Sequence, residues 1–224
     1  MSIIEDLLRI ITPYDCLNCG IEGKLVCNNC TQIYLEPIPE RCYRCYRLSS
    51  KYKTCSVCRH HNVITHVWIR TAYTPLARKV VHALKFEYAR DAAKLMAQEI
   101  FRTLPALPKD TLLVHVPAAT THVRQRGFDQ SALLARELSK LTGHAHINAL
   151  ARSGQQRQVG ADSRTRRTQM LNAFRPLSHS MIKNARILLV DDVTTTGSTL
   201  EAAALALRRA GASSVAAVTF AQAK

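Results

Sequence analysis

The stretch Ile187-Leu-Leu-Val-Asp-Asp-Val-Thr-Thr-Thr-Gly-Ser-Thr199 decides how the chain is read. Four apolar residues predict a buried strand that ends in two adjacent carboxylates, Asp191 and Asp192. A hydroxyl-rich turn through Gly197 then leads into a helix over 197–210, which Gly211 stops. Ligands of open parallel sheets bind at the carboxyl ends of strands. The N–H groups of such a turn and the positive helix end attract a phosphate. Thr194, Thr195, Thr196, Ser198 and Thr199 add hydroxyls, and Gly197 lets the backbone approach closely. The carboxylates repel a phosphate, so they suit sugar hydroxyls or a nearby cation. Together these features describe a cradle for a ribose 5-phosphate. The alternatives are a buried strand with incidental acids before a capped helix, or a metal-binding acidic pair beside some other nucleotide loop.

Outward from this stretch, strand and helix patterns alternate. Apolar or β-branched runs predict strands over 63–73, 112–116, 146–150, 186–190 and 215–220. Amphipathic runs predict helices over 76–104, with a break near 85–90, and over 129–141 behind an Asp129 cap. Residues 117–128 read as a loop and 152–172 as a basic arm. The alternation predicts an α/β fold with a mostly parallel sheet flanked by helices. No GxxxxGK[ST] occurs, which disfavours a P-loop nucleotide hydrolase.

The cysteines stand apart, ahead of this region. They read Cys16-x-x-Cys19, Cys27-x-x-Cys30, Cys42-x-x-Cys45 and Cys55-x-x-Cys58, and all eight cysteines of the chain are in these pairs. Two thiolates on one tight turn can face one tetrahedral zinc, and two turns complete its shell. Four pairs therefore make two structural zinc sites. Sequential pairing closes the shorter loops and is favoured over a crossed arrangement. An iron–sulfur cluster or disulfides are the alternatives. Residues 1–61 read as a double zinc ribbon with a short N-terminal helix, and 62–224 as the α/β domain.

The 224 residues carry 31 Lys and Arg against 16 Asp and Glu, a formal charge of +15. Residues 1–60 are nearly balanced, with eight basic and six acidic side chains. Two tetrathiolate zinc sites would turn that balance negative, which argues against the ribbons gripping nucleic acid. Residues 152–186 hold eight basic side chains against Asp162 alone. Such a run attracts polyanions, whether phosphorylated small molecules, nucleic acid or acidic lipid. Arg124 and Arg126, with Arg164, Arg166 and Arg167, are the candidate contacts to a diphosphate or to nucleic acid, because Arg can fork onto two phosphate oxygens. The N-terminal stretch lacks a signal-peptide pattern and no run is long enough to span a bilayer, so a cytoplasmic location without membrane insertion is expected. No general base stands out, and the catalytic residues are unassigned.

The 187–199 stretch resembles the 5-phosphoribosyl-1-diphosphate (PRPP) motif of type I phosphoribosyltransferases. That resemblance implies that Asp191 and Asp192 hold the ribose diol and that residues 194–199 hold the 5′-phosphate. Mg²⁺ would arrive with PRPP, since magnesium sites often rely on substrate phosphates. Four cysteine pairs before such a domain resemble the ComF family of competence proteins (ComF/GntX). Leu84-Lys85-Phe86, Val116-Pro117, Arg124 to Ser131 in RQRGFDQS, and Arg152 with Gln158-Val-Gly160 extend the likeness. Asp129 stands where the family commonly has Asn. The resemblance implies a cytosolic protein that handles incoming single-stranded DNA beside a helicase-like partner. An active phosphoribosyltransferase, displacing diphosphate from PRPP with a nitrogenous acceptor, is the alternative.

Overall fold

A computed structural model describes residues 14–60, 62–87, 89–152 and 173–223. The expected N-terminal helix and most of the 152–172 arm, with Arg164, Arg166 and Arg167, lie outside the described residues.

The cysteine-rich segment is built from tight turns and two short helices, α1 (Asn28–Tyr34) and α2 (Ser56–Arg59). After it come β1 (Ile64–Ala72), α3 (Pro75–Phe86), α4 (Ala89–Phe101) and β2 (Thr111–His115). Then follow α5 (Thr120–Arg126), α6 (Gln130–Thr142), β3 (His146–Ile147), β4 (Leu150–Arg152) and β5 (Phe174–Pro176). The chain ends with α7 (His179–Ile182), β6 (Arg186–Thr194), α8 (Ser198–Arg209) and β7 (Ser214–Gln222).

Five strands form one sheet in the order β1-β7-β6-β2-β3, and every neighbouring pair is parallel. Its centre is the apolar run of β6. Leu188, Leu189 and Val190 are at most 1% exposed, and each such burial stabilises the fold by about 1.5–3 kcal/mol. Helices cover the sheet. α4 packs along α6 and reaches β1 and β7, while α8 packs on β6, β7 and β5. The fold is therefore the mostly parallel, helix-flanked sheet that the alternating pattern implies.

Local chemistry explains the helix ends. Thr74 caps α3 by accepting from the Ala77 N–H at 3.2 Å, with Pro75 at the first helical position. The long amphipathic run breaks at Glu87, whose backbone leaves the helical region (φ −127°, ψ −68°). Asp129 Oδ1 accepts from the N–H groups of Ser131 and Ala132, which starts α6.

Three expectations need correction. Residues 117–128 contain a helix, α5, because a short helix with no buried residue leaves no apolar periodicity to read. Residues 146–150 are not one strand. β3 joins the large sheet, whereas β4 pairs antiparallel with β5 in a separate ribbon. β6 does not stop at Val190 but continues to Thr194, because β7 runs beside it and pairs Asp191 with Thr219 and Thr194 with Gln222. Thr194 is thus buried in the strand rather than placed in the turn.

Candidate functional site

The sheet order creates a crevice. From β2 the chain moves on to β3 at one edge, and from β6 it moves on to β7 in the opposite direction. Connections that diverge from adjacent parallel strands open a gap at the strands' carboxyl ends. The 117–129 connection and the 195–197 turn flank that gap.

Asp191 and Asp192 sit at its floor, 9% and 5% exposed. They are not equivalent. Asp192 Oδ1 accepts from the Val193 N–H at 2.8 Å, and its Oδ2 lies 2.8 Å from Lys85 Nζ. That contact is an ion pair without hydrogen-bond alignment, so Oδ2 keeps no hydrogen-bond donor of its own. Asp191 has no cation among its described partners. Its Oδ1 accepts from Ser131 Oγ and from the Asp192 N–H, both at 2.9 Å. Burial, and then the Asp192 charge, push the Asp191 carboxyl well above the usual range. One acid is therefore ion-paired and the other is held at a cost.

The turn behind them runs from the end of β6 to the start of α8, with Thr194 left behind in the strand. Thr195 and Thr196 are exposed, and Ser198 and Thr199 are half-buried at the start of α8. Thr196 Oγ1 and Ser198 Oγ lie 2.7 Å apart. Gly197 has φ +80°, and a Cβ there would fall 2.2 Å from Tyr43 Cε2. The glycine is therefore required twice, by backbone conformation and by the ring against it.

Across the gap, Asp129 Oδ2 accepts from the Ala118 N–H at 2.9 Å and ties the 117–119 backbone to the start of α6. Arg126 Nη1 donates to Gln130 Oε1 at 3.0 Å, and the guanidinium lies 5.0 Å from the Phe86 ring centre. Its Nε is buried without a hydrogen-bond partner. Arg124 is exposed on the same helix. The ends of α3, α5 and β6 thus meet, with Lys85 paired to Asp192 and Arg126 set against Phe86 at the end of α3. At the end of β2, His115 Nδ1 and His146 Nε2 lie 3.0 Å apart. Burial lowers both, His146 to about 4 with the His115 charge adding to the effect, so the pair is neutral near pH 7.

The cysteines fall into the sequential sets. Cys16, Cys19, Cys27 and Cys30 form one cluster, and Cys42, Cys45, Cys55 and Cys58 the other, with the sulfurs of each within 4.8 Å of one another. Zinc–thiolate bonds of about 2.3 Å set tetrahedral sulfur separations of roughly 3.8 Å. Cys19 and Cys27 are 3.8 Å apart, and Cys45 and Cys55 3.5 Å. Backbone N–H groups of Cys27 and Cys30 donate to Cys16 and Cys27 sulfurs, as thiolates require. Both clusters fit zinc. The charge balance of the region also divides between them. Residues 14–39 hold Asp15, Glu22 and Glu36 against Lys24, whereas 40–59 hold Glu40 against Arg41, Arg44, Arg47, Lys51, Lys53 and Arg59. The second ribbon is basic, so the charge that repels nucleic acid belongs to the first ribbon alone.

Three contributors escaped the sequence reading: Lys85, Tyr43 and Glu201. Lys85 lies in the Leu84-Lys85-Phe86 run, where nothing local marks its pairing with Asp192. Tyr43 lies in a CxxC spacer, where no pattern marks a partner 154 positions away.

Residues 126–224 match the model of the phosphoribosyl transferase domain. A DNA utilization protein YhgH from Salmonella typhi is 35% identical over 153 residues, which are 64% of this chain and 66% of that protein. The matched region thus spans just under two thirds of that relative. Competence protein F from Haemophilus influenzae is 35% identical over 101 residues, covering 43% of this chain and 44% of its own. Competence protein ComFC from Streptococcus pneumoniae is 25% identical over 199 residues, covering 87% and 86%.

Proposed function

We propose that the chain binds PRPP or a related ribose phosphate in the β2/β6 crevice, a reading supported by the match of residues 126–224 to the phosphoribosyl transferase domain and by the likeness to competence protein F, ComFC and YhgH. A double zinc ribbon over 1–61 serves this domain over 62–224. The carrying observation is the buried acid pair beside a Gly197 turn at a helix start.

In this reading Asp191 and Asp192 accept from the ribose 2′ and 3′ hydroxyls. Thr195, Thr196, Ser198 and Thr199 donate to the 5′-phosphate together with the turn's N–H groups. Arg126, with its unused Nε, and the 117–119 backbone face the diphosphate. Mg²⁺ neutralises diphosphate charge when bound. The ligand's own diphosphate and ribose oxygens would hold it, with Asp191 and Asp192 as the nearest carboxylates of the chain, Asp192 being already paired with Lys85. Saturable binding of Mg²⁺·PRPP to zinc-loaded protein by calorimetry is the expected result, with loss in Asp192→Asn. A folded protein with both zincs and no binding heat would refute it.

The relatives' names, competence protein and DNA utilization protein, support a role in handling single-stranded DNA, with the basic run over 152–186 as its electrostatic footprint. Each neutralised single-strand phosphate contributes about 0.7 to the salt slope. Changing Arg164, Arg166 and Arg167 together to Ala should therefore weaken oligonucleotide binding and lower the slope by roughly 2. An unchanged slope in a fluorescence-anisotropy titration would remove the arm from the interface. If acceptor bases are turned over, the protein is also a working transferase; Asp192→Asn should then abolish turnover and leave DNA binding intact. A helicase-like partner and a cytosolic site of action belong to the same proposal. Among the described residues no helix is long and apolar enough to cross a membrane.

A further inference from the structure

The second cysteine cluster reaches into the phosphate turn. Tyr43 follows Cys42 directly, lies within the knuckle that Cys45 closes, and is 1% exposed. Its ring fills the space where Gly197 lacks a side chain. Its hydroxyl donates to Glu201 Oε1 at 2.9 Å. Arg44 Nη1, from the same knuckle, donates to that oxygen at 3.0 Å, and so does Asn62 Nδ2. Glu201 lies in the first turn of α8, and its own N–H donates to the Gly197 carbonyl at 2.9 Å. On the other side the Tyr43 carbonyl accepts from Gln222 Nε2 at 2.9 Å, and Gln222 pairs with Thr194 across the sheet. One knuckle therefore grips the end of β6, the turn and the start of α8.

The first cluster provides a built-in control. Its described contacts go elsewhere: the Leu17 carbonyl accepts from Lys79 on α3, and Tyr14 donates to Asp91 on α4.

We infer that Tyr43 is a positioning residue that makes the second metal cluster and the phosphate turn one thermodynamic unit. This rests on the phosphoribosyl reading of the turn. A bound metal folds the knuckle, because four thiolates without it have no reason to stay within one coordination sphere. The folded knuckle holds the Tyr43 ring under Gly197 and supplies two of the donors to Glu201. The turn is then fixed in the shape that presents its N–H groups. Coupling between two sites is reciprocal in free energy, so a phosphate ester on the turn must raise the metal affinity of the second cluster and lower its metal-free, alkylatable fraction.

The experiment uses the zinc-loaded full chain. Cysteine alkylation under a zinc chelator is followed by peptide mass, with and without Mg²⁺·PRPP, and calorimetry on the same sample reports ligand binding. The ligand should slow labelling of Cys42, Cys45, Cys55 and Cys58 by about 5- to 150-fold and leave Cys16, Cys19, Cys27 and Cys30 unchanged. Tyr43→Ala should remove this protection, while Tyr43→Phe, which keeps the ring, should retain most of it. Ligand binding with no protection, or with equal protection of both clusters, overturns the inference. If calorimetry shows no binding, the phosphoribosyl reading fails and hydrogen exchange over 195–201 decides the coupling instead. Exchange there must rise when the second cluster is stripped and not when the first is stripped; any other pattern overturns it.

Discussion

Asp191→Asn should lose phosphoribosyl ligand by at least tenfold and yet melt at a higher temperature than the parent. The affinity loss follows from replacing a charged acceptor by a neutral one. Hydrogen bonds to charged groups contribute about 1.5–3 kcal/mol, so one such contact is on the order of 10- to 100-fold in binding. The gain in stability follows from the ligand-free site. Asp191 is buried and lies beside the Asp192 carboxylate, and Lys85, the cation that pairs with this acid couple among the described residues, is spent on Asp192. An Asn at this position keeps an oxygen for the Ser131 hydroxyl and the Asp192 N–H, and no charge is buried. Relief of a functional site of this kind commonly adds about 0.5–2 kcal/mol. In a chain of this size that is roughly 1–8 °C.

The pH dependence of this difference has a definite sign. The folded-state pKa of Asp191 is raised, so the folded protein binds its proton more tightly than the unfolded chain does. The stability this lends is complete below the ordinary aspartate range and is lost as pH rises through the raised value. Asp191→Asn lacks that loss. Paired melting curves between about pH 5.5 and 8.5, where thiolate zinc sites persist, should show a gap that never narrows as pH rises. A variant that melts lower at every pH would mean that the carboxylate charge stabilises the empty site.

Some of this site was legible before any coordinates. A buried strand, two acids, a glycine turn and a helix follow one another within 13 residues, and local chemistry alone orders them. The cysteine sets were equally local, because closing short loops selects the sequential partners. What stayed hidden depends on neighbours distant in sequence. The strand character of Asp191 to Thr194 comes from β7 pairing alongside, which no propensity of Asp or Thr announces. Helix α5 has no buried face to produce a period. Lys85 differs from any surface lysine only because α3 ends where β6 ends. The Tyr43 contact joins two units that sequence reading treats separately.

That last contact makes Gly197→Ala the more damaging of two small substitutions in the turn. Two costs add. The left-handed backbone at φ +80° costs a residue with a Cβ about 1–2 kcal/mol. The new methyl would also stand 2.2 Å from Tyr43 Cε2 and 2.7 Å from its Cδ2, which no rotation of a fully buried ring clamped at its hydroxyl can relieve. Overpacking of this kind costs about 1–3 kcal/mol. The total of roughly 2–5 kcal/mol corresponds to a fall in melting temperature on the order of 4–20 °C. Ligand binding should disappear with it, since the turn must tilt to make room. Thr196→Ala, an exposed neighbour, should leave the melting temperature nearly unchanged. A double-mutant cycle separates the two costs. Tyr43→Ala alone should cost about 3–5 kcal/mol, as aromatic truncations do. Combined with Gly197→Ala, the loss should be smaller than the sum by about 1–3 kcal/mol, because the truncated ring leaves room for the methyl. Strict additivity in urea unfolding would show that the backbone conformation alone demands the glycine and that the zinc knuckle does not bear on the turn.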